Sequence, residues 1–188
     1  MTNFRSETPD TIVTLVETYR GPKLSLLFTG CGARAAEIVS VPGASEVLYD
    51  LHIPYAREAV EALIGANDSS AVSAAMVRRL HDRKVPKGAL RVTVTAAITS
   101  TRYRRGNNHA YIMVDHPLQP TEPRVWHMKL EKMEERLHRS KRTVAVMRQY
   151  EDALICDVAL LLATDQSTPL EALLADNPEV SLVQTPLY

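Results

Sequence analysis

The sequence has little cysteine. Its 188 residues hold two, Cys31 and Cys156, far apart and in no metal-ligand spacing. They read as one buried thiol and one loop thiol in a reducing cytosol. The six histidines are scattered, with no HExxH and no paired Cys/His spacing, so neither a metal nor any other cofactor is expected. There is no charge of one sign: Lys plus Arg and Asp plus Glu are 22 each. That excludes the basic excess of a general nucleic-acid-binding surface. No apolar run approaches the roughly 18 residues of a spanning helix. Met1 to Pro9 is polar and lacks the apolar stretch of a secretory signal. A cytoplasmic protein that binds no membrane is the expectation.

What is present is a chain with 45% apolar residues and enough length for one domain with a real core. The expected single domain is 1–188, with a core over about 8–165 and a C-terminal extension over 166–188. Ile12, Leu15, Val16 and Tyr19 have helical spacing, with Thr8 as cap, Pro9 in the first turn and Gly21 at the stop. Leu24 to Thr29 is a buried strand, and 33–40 is helical. Glu46 to Ile53 reads as a second strand, Pro54 opens a helix through Ile64, and Ser69 or Ser70 caps a third helix. Leu90 to Ile98, His109 to Val114 and Arg124 to Leu130 read as strands. A long helix is predicted over Met133 to Ala163, and Thr168-Pro169-Leu170-Glu171 forms a capping-box start. The apolar end, Pro178 to Tyr188, is extended and docks on the sheet edge or on a second subunit. This order predicts an α/β fold: a three-layer α/β/α sandwich, its sheet mostly parallel with an antiparallel edge.

Three segments carry candidate chemistry, and each follows a predicted strand. In the first, Phe28-Thr29-Gly30-Cys31-Gly32-Ala33-Arg34, two glycines between strand and helix aim backbone N–H groups at an anion. The same residues also suit a plain strand-to-helix turn; they form neither a Walker loop nor GxGxxG. The second, Thr99-Ser100-Thr101-Arg102-Tyr103-Arg104-Arg105-Gly106-Asn107-Asn108-His109, joins three hydroxyls to three arginines, whose planar forks match phosphate. It reads equally as a solvated hairpin. In the third, Tyr55 offers a ring for stacking and Arg57 a phosphate contact, or Tyr55 is core and Arg57 surface. If the strands are parallel neighbours, the three loops converge on one edge of the sheet, where open α/β proteins collect ligands.

Ser40-Val41-Pro42-Gly43-Ala44-Ser45, then Pro54-Tyr55-Ala56-Arg57-Glu58-Ala59, then Leu63-Ile64-Gly65 and Ala71-Val72-Ser73 resemble the CinA C-terminal family. That family shows an SCTGG turn, a VPGAS segment, a YSNEAK helix and an AVS helix start. The resemblance covers about residues 24 to 115 well and the long helix loosely. It implies a three-layer fold, frequent dimers, no metal and the hydrolysis of nicotinamide mononucleotide to the nicotinate nucleotide and ammonia. Aligned through VPGAS, the family's nucleophilic serine falls on Phe28, its lysine on Val60, its helix serine on Ala56 and its asparagine on Arg57. The glycine-rich GIAGP loop becomes Ala96-Ala97-Ile98-Thr99-Ser100. The chain is more similar to a branch with a TGGG-type turn, a VPYS helix and an RPKRG-type loop.

Two functions of different class follow. The first is a divergent amidohydrolase of pyridine-nucleotide salvage, in which Thr29 or Cys31 replaces the serine, Tyr55 assists and His52 or His109 serves as base. The second is a homo-oligomeric nucleotide-binding module without chemistry, which keeps Gly30, Gly32, Arg34, Arg57, Thr99, Ser100, Thr101, Arg102, Arg104 and Arg105 as phosphate contacts. A third reading is an assembly subunit that works through its apolar tail and long helix.

Overall fold

A computed structural model of the protein describes residues 10–66, 70–101, 106–119, 122–131 and 141–186. The chain opens with α1 (Thr11–Thr18), β1 (Leu24–Thr29) and α2 (Ala33–Ala36). A single 3-10 turn, Glu37–Ser40, then leads to α3 (Ala44–Val47), β2 (Leu48–His52), α4 (Arg57–Ile64) and α5 (Ala74–His81). Next come β3 (Leu90–Ala97), β4 (Asn108–Asp115), β5 (Arg124–Leu130), α6 (Lys141–Ala163), α7 (Ser167–Ala175) and β6 (Val180–Thr185). The strands form one mixed sheet in the order β2-β1-β3-β4-β5-β6. β2, β1 and β3 run parallel, and β4, β5 and β6 each pair antiparallel with the strand before them. No helix among the described residues is long and apolar enough to cross a membrane.

Strand alternation assigns the two faces. Leu24, Leu26 and Phe28 of β1, with Leu90, Val92 and Val94 of β3, pack into the large core beneath α6, α1 and α2. Leu27 points the other way, onto Met76 and Leu80 of α5 and the flanking Val60 and Ile64 of α4. Helices thus cover both faces, as the alternating pattern predicts. The extension also takes part: Leu170, Leu173 and Leu174 of α7 and Val180 and Leu182 of β6 pack against the main core. The apolar tail therefore lies on the sheet edge, paired with β5.

Several local ends differ from the sequence reading. Asp10, not Thr8, caps α1, its Oδ1 accepting from Ile12 N at 3.0 Å and Val13 N at 3.2 Å. Ser73, not Ser69 or Ser70, caps α5, accepting from Met76 N at 3.1 Å. α1 stops at Thr18, ahead of Gly21, and α7 begins at Ser167 with no side-chain cap, so no capping box forms at Thr168. Gly43 turns the chain at φ +91° into α3, so the second strand begins at Leu48 rather than Glu46. α4 starts at Arg57 because Ala56 is extended, which leaves Pro54 and Tyr55 outside the helix. Residues 133–140 of the predicted long helix lie outside the described residues.

A polar cluster lies under α5, at the start of the parallel strands. His81 is 1% exposed; its Nδ1 meets Thr93 Oγ1 at 3.0 Å, and its Nε2 faces Asp115 Oδ2 at 4.0 Å. Arg83 donates to Thr93 Oγ1 and to Ser25 Oγ, and Arg91 pairs with Asp115. Burial, then the Arg91 guanidinium, pushes the His81 pKa from 6.5 down to about 3, with Asp115 opposing in part. The unfolded chain protonates this ring near 6.5, while the folded chain does so only near 3. Stability is therefore full above the upper value and falls with pH between the two, by up to about 1.4 kcal/mol per unit. Urea unfolding at pH 7, 6, 5 and 4 is expected to show this fall, and His81→Gln is expected to flatten it. An equal slope in both proteins would mean that His81 titrates normally.

Candidate functional site

β2, β1 and β3 are parallel neighbours, so the segments after them do reach one edge of the sheet. There a cleft of about 540 Å³ opens between the end of β1 and the α4–α5 side. Thr29, Gly30 and Ala96 form its floor, Tyr55, Arg57 and Glu61 its polar rim, and Val60, Val72 and Met76 an apolar wall. Gly30 is required at this floor. Its φ is +77°, and a Cβ there would lie 2.0 Å from the Ala96 carbonyl oxygen.

The backbone nest after β1 exists, but it is filled from inside the protein. Asp152 of α6 is 6% exposed. Its Oδ1 accepts from Gly32 N at 2.6 Å and Ala33 N at 3.2 Å, and its Oδ2 from Arg34 N at 2.8 Å. Gly32 and the Arg34 backbone thus serve an internal carboxylate, not an external phosphate. The Arg34 side chain is also committed, to Asp10 at 2.9 Å, Glu37 at 2.5 Å and Asp157 at 3.3 Å. The turn meets the helix through this carboxylate because α2 would otherwise begin on buried, unpaired N–H groups.

The loop after β3 is held the same way. Glu151, 3% exposed, accepts from Thr99 N at 2.5 Å, Thr99 Oγ1 at 2.9 Å and Asn108 Nδ2 at 2.7 Å. Thr99 is therefore buried structure and does not face the cleft. Ser100 is half-buried and Thr101 exposed, and neither lines the cleft. Arg102, Arg104 and Arg105 lie outside the described residues.

Arg148, one turn before Glu151 and Asp152, completes the clamp. It donates to the Thr99 carbonyl at 2.9 Å, to the Gly30 carbonyl at 3.1 Å and to the Tyr55 hydroxyl. Its guanidinium lies 5.8 Å from the centre of the Tyr55 ring. Tyr55 is thus an exposed residue fixed at one end, not a core aromatic. Arg57 reaches Glu61 at 2.7 Å along α4.

Sequence reasoning missed Arg148, Glu151 and Asp152, although a signal existed. Val144, Arg148, Glu151, Ile155 and Val158 alternate at four- and three-residue spacing, so two charged residues interrupt the apolar stripe of the longest helix. Charges on such a stripe need partners, and the two sheet-end loops supply them.

The replacement nucleophiles fare differently. Phe28, at the family's serine position, is fully buried in the core. Thr29 does line the cleft, and its Oγ1 lies 3.5 Å from the Val94 carbonyl. Cys31 turns away from the cleft to the α6 side and is 3% exposed. There the Sγ atoms of Cys31 and Cys156 and a carboxylate oxygen of Asp152 lie within 4.8 Å of one another. Both thiols are buried, which corrects the expectation of a loop thiol, and residues distant in sequence meet. The hydrogen bond to Cys31, then burial and the Asp152 charge, push the Cys156 thiol well above its ordinary value. Among the described residues this trio is the one group of three metal-capable side chains with their ligand atoms this close. The proposed bases point elsewhere: His52 Nε2 meets Asp50 at 3.2 Å, and His109 meets His127 at 3.0 Å across β4 and β5.

Asp152→Ala would leave three backbone N–H groups beside the core without an acceptor. A loss of about 3 kcal/mol or more is expected in urea unfolding. A loss under about 1 kcal/mol would mean that water replaces the carboxylate at no cost.

No protein-family model matches the chain, and no curated protein does. Solved structures do. A CinA superfamily protein from Klebsiella pneumoniae 700603 is 12% identical, with 85% of this chain and 95% of that one covered and a TM-score of 0.52. A competence or damage-inducible protein from Enterobacter asburiae is 13% identical, covering 81% and 88%, at 0.51. A CinA superfamily protein from Enterobacter cloacae is 10% identical, covering 92% and 98%, at 0.50. At such identities the likeness concerns the fold alone, and the chain has a CinA-like α/β fold.

Proposed function

We propose that the protein binds a small phosphorylated nucleotide in the cleft beyond β1 and β3 and does not cleave it. The observation that carries this reading is the composition of the cleft. It has an exposed aromatic ring at Tyr55, a guanidinium at Arg57 and an apolar wall at Val60, Val72 and Met76. A flat base or pyridine ring fits between such a ring and such a wall. A phosphate suits a rim arginine, whose present carboxylate partner, Glu61, marks where an anion is accepted. The volume lies within the range of small-molecule sites.

The second half of the reading rests on what surrounds Thr29. Amide hydrolysis needs a nucleophile with a base beside it and donors aimed at the developing oxyanion. The Thr29 hydroxyl has a backbone carbonyl as its partner, and Val60 stands where the resemblance expects lysine. The donors of the nest are taken by Asp152. The assembly reading is weaker, because the tail is paired with β5 and the apolar face of α6 is buried.

A calorimetric titration with nicotinamide mononucleotide, followed by an ammonia assay on the same sample, tests both halves. Binding without ammonia is expected. Ammonia release would restore the amidohydrolase, and no heat at any concentration would remove pyridine nucleotides from the site. Arg57→Ala is expected to weaken binding by about 1.5–3 kcal/mol, the scale of a hydrogen bond to a charged group. Unchanged affinity would take Arg57 out of the phosphate contact.

A further inference from the structure

Cys31 and Cys156 are the only cysteines of the chain, and the fold brings them together. Their positions are fixed from both sides. Gly30 is tied to α6 through Arg148, and Gly32, Ala33 and Arg34 through Asp152. Cys31 lies between these anchors. Cys156 follows Asp152 by four residues, on the same side of α6. The two sulfurs therefore lie within 4.8 Å of each other on backbone anchored by these hydrogen bonds.

We propose that Cys31 and Cys156 are a site of oxidative cross-linking, closing to an intramolecular disulfide when a hydroperoxide reaches them. The pair is buried, so the oxidant must be small. Cys31, at 3% exposure against 0% for Cys156, is the sulfur it meets first. The Cys31 sulfur attacks one peroxide oxygen and the O–O bond breaks, giving a sulfenic acid and, for hydrogen peroxide, water. The Cys156 sulfur then attacks the Cys31 sulfur and displaces hydroxide, which leaves as a second water with the Cys156 proton. Two thiols lose two electrons, and one peroxide gains them.

Charge favours this product over metal binding at the same trio. A divalent metal would need both thiols ionised beside the Asp152 carboxylate, a net charge of −1 in the core, and would compete with the N–H donors for that carboxylate, with no fourth His, Cys, Asp or Glu ligand grouped there among the described residues. The disulfide carries no charge and leaves Asp152 on its three N–H donors.

The test treats the wild-type protein with hydrogen peroxide, denatures it, alkylates it and measures its intact mass. Expected are a mass lower by two hydrogens, no alkylation, reversal by dithiothreitol, and a Tm higher by about 5 °C because a long loop is closed. Cys156→Ala should lose all four. Full alkylation after peroxide, a sulfinic acid on Cys31, disulfide-linked dimers, or one equivalent of tightly bound zinc in the purified protein would each overturn the proposal. The decisive mass is read on the native sequence, so a poorly folding variant does not obscure it.

Discussion

One buried carboxylate holds the working edge of this domain together. Asp152 accepts three successive backbone N–H groups at the start of α2, and without it the turn after β1 would leave them unpaired beneath α6. Glu151, its neighbour, does the same for the loop after β3. Burying two adjacent acids is costly in isolation. Here each charge is met by several short donors, the condition under which a buried carboxylate is tolerated. The helix is in turn fixed in register on the sheet, because three polar side chains must meet particular backbone atoms. Arg148 adds the third anchor and carries it outward to Tyr55. The floor of the cleft and its aromatic rim thus depend on one face of one helix.

The layered architecture was legible because it rests on periodicity. Strands of five to eight residues with recurring apolar positions and long helical stripes leave few alternatives, and β5 falls on its predicted bounds. Helix starts were less legible, since Asp10 and Ser73 each compete with a nearby residue of equal capping ability. Site residues divide by range. Thr29, Gly30, Tyr55 and Arg57 reach the cleft because strand direction alone places them there. Cys31, Gly32, Arg34 and Thr99 do not, because partners more than forty positions away claim them. No local pattern in the glycine turn reveals that an aspartate 120 positions later occupies it.

The same occupancy weighs against the amidohydrolase chemistry that the motifs suggest. A nest open to solvent holds a ligand's anion or a reaction's oxyanion; a nest closed by its own protein holds a fold. For an incoming phosphate to take these donors, Asp152 must leave them. The displaced carboxylate would stay buried with only the weak Cys156 thiol as donor, 3.9 Å away, a penalty of several kcal/mol. One phosphate on three N–H groups does not offset that, since it surrenders its own hydration in the exchange. Under the proposed function, a ligand's charge would therefore be met by side chains at the rim, where Arg57 sits, and its ring would lie inward against Tyr55 and the apolar wall. Binding in that geometry depends on an exposed cation, so salt screens it as it would not screen a buried nest.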